Sequence, residues 1–222
     1  MRDLRRLDYT RNGMSKAARR RIEFLEPLAL FVLIMSYIWG LRFRYHEMWL
    51  VILGFMAISH TLRRERMETI GFHLQNIREC LDEFLPALGF IGLSLVAAGI
   101  LLQTTRPIRF GDGALAWVGY LPWGTFQQYL LNGYFLNRLG RVMTPRGATI
   151  ASAMLFSGAH LPNWFLMGVT LAAGYICARI YMRHKNLFFL GVAHATIGFL
   201  LFLVVPDSIS HHLIVGPGWF GR

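Results

Sequence analysis

Trp123-Gly-Thr-Phe-Gln127-Gln128-Tyr-Leu-Leu-Asn132-Gly-Tyr-Phe-Leu-Asn-Arg138 decides how the chain is read. It lies in a long apolar run, yet it carries two adjacent amides and a third four residues on. At 3.6 residues per turn, Gln128 and Asn132 share a helix face, with Gln127 a step of about 100° away. Hydrocarbon offers such amides no hydrogen bonds, so their partners must come from other segments of the protein. Two later stretches supply candidates: Phe156-Ser-Gly-Ala-His160 and His194-Ala-Thr-Ile-Gly198. Three apolar segments thus each bring polar groups that are expected to meet at one buried site.

The rest of the composition agrees with a membrane setting. Of 222 residues, 55% are hydrophobic and only 16% charged, and mean hydropathy is +0.41. Soluble domains carry about a quarter charged residues. The net charge of +11 does not point to nucleic acid, because the basic residues sit between apolar segments, where orientation signals belong. The pattern predicts an all-α polytopic bundle with about seven to eight apolar segments. Seven are readable: 27–41, 48–60, 84–102, 114–136, 148–161, 163–182 and 187–205. The second and fifth are short and would cross only if tilted or sheltered. Cys80 reads as a loop residue and Cys177 as a span residue, too few for a disulfide framework or a zinc ribbon.

Charge sets an expected orientation. The first 21 residues hold eight Lys or Arg and no apolar core, so they read as a cytoplasmic arm, not a secretory signal. An amphipathic element lying on anionic lipid is the other reading of that arm. With the N-terminus inside and seven crossings, the inner side holds the arm, Arg63, Arg64, Arg66, Arg78, Arg138, Arg141, Arg146, Arg179, Arg183 and Lys185. The outer side keeps Arg42, Arg44, Arg106, Arg109 and Arg222, a split of 18 to 5 among the 23 basic residues. The charged stretch 61–83 suits an exposed or interfacial helix, and 137–147 a loop. Gly111-Asp-Gly113 and Pro145-Arg-Gly147 mark turns, and Pro162-Asn163 breaks the chain after His160. The tail from Pro206 reads as polar and solvated, including His211 and His212.

His160 and His194 are the histidines deepest in apolar sequence. Gly158 and Gly191 lie near them and would allow helices to approach closely. Two imidazoles with neutral amides make a poor zinc set, so no metal and no cofactor is expected. Ser152 and Ser157 have no base and orienting group around them. After Glu83 the only acids are Asp112 and Asp207, both in expected turns or loops, so no carboxylate is expected in the core.

The three blocks resemble the signature of the CPBP family, which groups type II CAAX prenyl proteases with bacteriocin-processing and "abortive infection" proteins, all intramembrane endopeptidases. That signature is a Glu-Glu pair followed by Arg, then Phe and His, then His and Asn. Here Gln127, Gln128 and Asn132 stand at the first block. Phe156 and His160 match the second in full, and His194 matches the third, where Gly198 replaces Asn. Thr69-Ile-Gly71-Phe resembles the short loop preceding the family core. The resemblance covers about residues 114–205. It implies that the residue at 127 would activate water with His160, that His194 would hold the oxyanion, and that Gln128 and Asn132 replace a Glu–Arg pair. A carboxamide cannot take a proton from water near neutral pH, so Gln127 cannot be that base. The alternative base is His160 acting alone, without an acid to orient it.

Two functional classes stay open. One is a divergent intramembrane endopeptidase of CAAX type, with weakened or absent activity. The other is a non-catalytic membrane binding or scaffolding protein, a pseudoenzyme that uses the same polar cavity. The expected organisation is a basic arm over 1–26, a membrane domain over 27–205 and a tail over 206–222. The expected partners are membrane lipid and a membrane-embedded or lipidated peptide, with no nucleic acid. The expected location is a bacterial-type plasma membrane.

Overall fold

A computed structural model describes residues 15–221. The part of the basic arm before Ser15, and Arg222, lie outside the described residues. Those described form helices and connections, with no strand among them. Helix α1 spans Lys16–Ser36 and runs on through a π-helical turn, Tyr37–Leu41, to Arg44. Next come α2 (Met48–Arg63), a short turn of helix at Met67–Ile70, and α3 (Ile77–Leu101). Helix α4 is Phe110–Gln128, prolonged by a π-helical stretch, Tyr129–Leu136, and a last turn, Asn137–Leu139. The final three are α5 (Pro145–Gly158), α6 (Trp164–His184) and α7 (Leu187–Val204). By length and composition, four of these are able to cross a membrane: α1, α3, α6 and α7.

Side-chain caps set several boundaries. Ser15, Thr144, Asn163 and Asn186 each accept a hydrogen bond from a backbone N–H in the first turn of α1, α5, α6 and α7. Pro145 opens α5, a position that needs no N–H. Pro145-Arg-Gly147 is therefore a helix start, and Gly111-Asp-Gly113 lies inside the first turns of α4, where turns were expected.

Helix α7 packs against α4 and α3, and α5 packs against α6. The α4–α7 approach depends on glycine. A Cβ at Gly191 would lie 2.2 Å from Thr125 Oγ1 and 2.8 Å from its Cα, so backbone meets backbone there. Gly158 instead faces a side chain, with Phe31 3.1 Å from where its Cβ would be. The connection before α3 docks onto the α6–α7 corner. Leu187 N donates to Gly71 O at 2.8 Å, Tyr181 Oη donates to Ile70 O, and Asn186 Nδ2 donates to His73 O. Gly71 has φ +111°, and a Cβ there would lie 2.6 Å from Lys185 O, so only glycine fits.

Several expectations for charged stretches need correction. Within 61–83, Ile70 and Cys80 are buried, and Cys80 belongs to α3 rather than to a loop. Arg138, expected in a loop, has 0% exposure. The tail is not simply solvated. Asn163 Nδ2 donates to Ser210 O and Ile214 O, Gly216 N donates to Leu161 O, and His211 stacks on Trp219 at 3.7 Å between ring centroids. A backbone whose carbonyls are taken by α6's capping asparagine is held against the bundle.

Candidate functional site

A cavity of about 1030 Å³ runs between α1, α3, α4, α5, α6 and α7. Most of its wall is aliphatic or aromatic, and Leu213 and Val215 of the tail form part of it. Gln127, Gln128, His160 and His194 all line it. The three blocks of sequence thus meet at one place. Asn132 is fully buried just behind, in contact with Gln128. Phe156 joins the two histidines, its ring 5.1 Å from that of His160 and 6.2 Å from that of His194.

The hydrogen bonds fix the chemistry of each ring. Asn132 Nδ2 donates to Gln128 Oε1 at 2.8 Å, and Gln128 Nε2 lies 3.0 Å from His194 Nδ1. An amide nitrogen only donates, so Nδ1 accepts and the neutral His194 carries its proton on Nε2. His160 is the reverse case. Its Nδ1 lies 2.8 Å from Phe156 O, a carbonyl that only accepts, so the proton is on Nδ1 and Nε2 keeps its lone pair. One imidazole offers the cavity an N–H and the other an acceptor. Gln127 lines the wall without a hydrogen bond to any described residue. Asn132 Oδ1 is a buried acceptor with no partner among the described residues.

No carboxylate lines this cavity among the described residues. The wider expectation of a core without acids is nevertheless wrong. Glu23 is 4% exposed, and the Glu26 and Glu65 side chains are 10% and 13% exposed. They surround Arg138 in a second polar layer. Arg138 Nη1 and Nη2 both reach Glu65 at 2.8 Å, Nε reaches Glu26 at 3.2 Å, and Nη2 donates to Ser59 at 3.0 Å. Arg63 pairs with Glu26 and Glu23, and Arg141 with Glu23 and Glu65. Three guanidinium groups thus face three carboxylates, which lets the charges stay inside. Burial pushes the Glu65 carboxyl up. Hydrogen bonds from His60 and Arg138, with the charges of Arg138 and Arg141, outweigh it and hold the group well below the usual range.

A relay leads from this layer towards the amides. Glu65 accepts from His60 Nδ1, and Tyr129 Oη donates to His60 Nε2 at 2.7 Å. Tyr134 Oη donates to Glu26 Oε1 at 2.6 Å. The sequence did carry a signal for this layer. Glu23 and Glu26 are three apart on α1, and Arg138 and Arg141 are three apart beyond the amides, Arg138 in the last helical turn and Arg141 just past it.

Two further residues of the cavity were not singled out from sequence. Tyr120 lines it from α4, its ring 6.3 Å from that of His194. It fills the space beside Gly198, where an added Cβ would lie 3.0 Å from its Cε1 and 3.2 Å from its Oη. Cys177 lines the wall from α6.

Residues 113–200 match the model of the family described as type II CAAX prenyl endopeptidase Rce1-like, which bears out the resemblance read from the three blocks. No curated protein and no solved structure matches the chain. The match covers less than half of the chain, and four of the described helices are long and apolar enough to cross a bilayer.

Proposed function

We propose that this chain, whose residues 113–200 match the model of the type II CAAX prenyl endopeptidase Rce1-like family, is a divergent member of that family. In this reading it receives a membrane-embedded or lipidated peptide in its cavity, with glutamate-type peptidase activity weakened or absent. One observation carries the reading: a cavity lined by Gln127, Gln128, His160 and His194, and by no carboxylate among the described residues. Loss of a general base costs about 10²–10⁴ in rate. The buried Glu23 and the half-buried Glu26 and Glu65 are already committed to Arg63, Arg138 and Arg141. His160 Nε2 is the one imidazole nitrogen left as an acceptor towards the cavity, and its other nitrogen rests on a neutral carbonyl rather than on an acid.

The amides make a consistent set of their own. The resemblance calls for a Glu–Arg pair at 128 and 132, and losing one partner of such a buried pair costs about 3–5 kcal/mol. Here both are neutral and bonded to each other at 2.8 Å. That supports the second reading, a non-catalytic membrane binding or scaffolding protein that uses the same cavity. The proposed setting is a bacterial-type plasma membrane, with the basic arm over 1–26 on the cytoplasmic side, a membrane domain over 27–205 and the tail over 206–222 outside. Crossing by seven or eight segments belongs to the same proposal.

Incubating the purified full chain with membrane-embedded and prenylated peptides tests the catalytic part. No cleavage by the unmodified protein is expected. Gln127→Glu alone should restore little, because its carboxyl would sit without a cationic partner and stay largely protonated. A fuller restoration adds Gln128→Glu, Asn132→Arg and Gly198→Asn, and Tyr120 must then give way, since it fills the space beside 198. Robust cleavage by the unmodified chain, abolished by His160→Ala, would overturn the proposal.

A further inference from the structure

We infer that the tail over 207–220 is a lid on the cavity. It closes part of the wall with Leu213 and Val215, and it is fastened by polar contacts that let it lift as a unit. Its use in admitting a ligand rests on the cavity being the ligand site proposed above, but not on whether any bond is cleaved there.

Three observations carry it. The first is where the tail is fastened. Arg106 donates to both oxygens of Asp207, from Nη1 to Oδ2 at 2.8 Å, and His212 Nδ1 lies 2.9 Å from Asp207 Oδ1. Asn163 Nδ2 donates to Ser210 O at 2.9 Å and to Ile214 O at 3.1 Å. Gly216 N donates to Leu161 O at 2.8 Å. Gly216 has φ +69°, and a Cβ there would meet Ile38 Cγ2 at 2.7 Å. The tail therefore crosses from the end of α7, over the α5–α6 corner, to the π-helical turn after α1.

The second is the kind of fastening. Ser210 and Gly216 are the only buried residues of the tail among those described, and neither brings an apolar side chain. The Arg106, Asp207 and His212 side chains are 25%, 34% and 46% exposed. A segment with few buried apolar contacts and wet ion pairs is among the first to open. The third is strain. His211, His212 and Leu213 have φ of 46°, 54° and 56°, three successive left-handed residues without a glycine. Side chains disfavour that region, so the turn persists only while its surroundings impose it. The fastenings do so from both sides, at Asp207 and Ser210 before the turn and at Ile214 and Gly216 after it. The turn itself sets Leu213 into the wall. Once a fastening lets go, relaxation of the turn carries Leu213 out and leaves the cavity open to water.

Cys177 supplies the test, since it lines the cavity and the only other cysteine, Cys80, is buried in α3. The full chain carrying Cys80→Ala is placed in lipid nanodiscs. The rate at which Cys177 reacts with a water-soluble trimethylammonium methanethiosulfonate then reads the opening of the cavity to water. Labelling without a tail variant should be slow. Asp207→Asn keeps the shape of the clasp and removes its charge, and should speed labelling about two- to fivefold. Arg106 is left in place because it also donates to Phe202 O and Val205 O at the end of α7. Asn163→Asp keeps the oxygen that caps α6 and loses the N–H donor to two tail carbonyls, and should speed labelling about tenfold. If that buried variant does not fold, Asp207→Asn, at a half-exposed position, still decides. Arg141→Ala, in the other polar layer, should leave the rate unchanged, which separates a lifting lid from general loosening. Equal rates in the reference and tail variants would overturn the inference, as would a rise with Arg141→Ala as large as theirs. Binding of a prenylated peptide to the same proteins reads the ligand separately. The expected labelling pattern in a chain that binds no such peptide would strike the cavity reading and leave the lid standing.

Discussion

Arg138→Ala tests whether the second polar layer holds the bundle together. Arg138 is fully buried and bonds to Glu65, Glu26 and Ser59. Removing one partner of a buried ion pair costs about 3–5 kcal/mol, because the other is left charged and dry. Here the loss is softened. Glu26 keeps Arg63, Ser59 and Tyr134, and Glu65 keeps Arg141 and His60. The lower end, about 3 kcal/mol, is therefore expected. For a chain of this size each kcal/mol moves the midpoint by about 2–4 °C, so thermal unfolding in detergent should fall by about 6–12 °C. Arg141→Ala supplies the internal comparison. Its side chain is 34% exposed, and rim pairs are worth about 1 kcal/mol at most, so its shift should stay within about 4 °C. Adding Glu65→Gln to Arg138→Met should recover part of the loss, because the stranded charge goes with it. A fall of less than about 2 °C for Arg138→Ala would refute the reasoning, as would equal falls for the two arginines.

The same layer predicts a dependence on pH. Glu65 is held below the usual carboxyl range, so its contribution is fully present above the unfolded value of about 4.3 and is lost as pH falls through its folded value. The unfolding midpoint should stay flat from pH 7 to about 5 and then decline, with a shallower acid limb in Glu65→Gln. Orientation is checked by a cysteine placed at Gly218, in a background with Cys80 and Cys177 changed to Ala. It should react with an impermeant thiol reagent from outside the cell, and reaction only after the inner face is opened would reverse the proposed topology.

The helices were legible because apolar runs announce them: each of α1 to α7 overlies one of the seven runs read from sequence. Hydropathy does not say which of them cross, and only α1, α3, α6 and α7 satisfy length and composition. The meeting of Gln128, His160 and His194 was legible because polar groups in apolar segments must find each other. Arg138 was misread for a related reason. A guanidinium looks like a loop residue until its partners are known, and Glu26 and Glu65 lie more than seventy residues away in sequence. The tail was misread because its cover of the cavity depends on Leu213 and Val215, within a run of only three apolar residues, Leu213-Ile214-Val215, too short to stand out as a segment. Tyr120 gave no signal, since nothing in sequence tells which aromatic ring will stand beside a glycine on another helix.

The π-helical stretch Tyr129–Leu136 joins the two polar layers along α4, between Gln128 and Arg138. Each of its turns takes in an extra residue, which rotates the helix face beyond it relative to the face before it. Ahead of it, Gln127 and Gln128 look into the cavity; Tyr134 within it and Arg138 beyond it reach Glu26 on α1. Deleting one apolar residue of the stretch, such as Leu130, would let it rewind as α-helix and swing Arg138 away from Glu26 and Glu65, without removing a single polar group. The wide turns act as a gearing between a neutral layer and an ionic one, so a shortened relative would have to give up the alignment of one or the other.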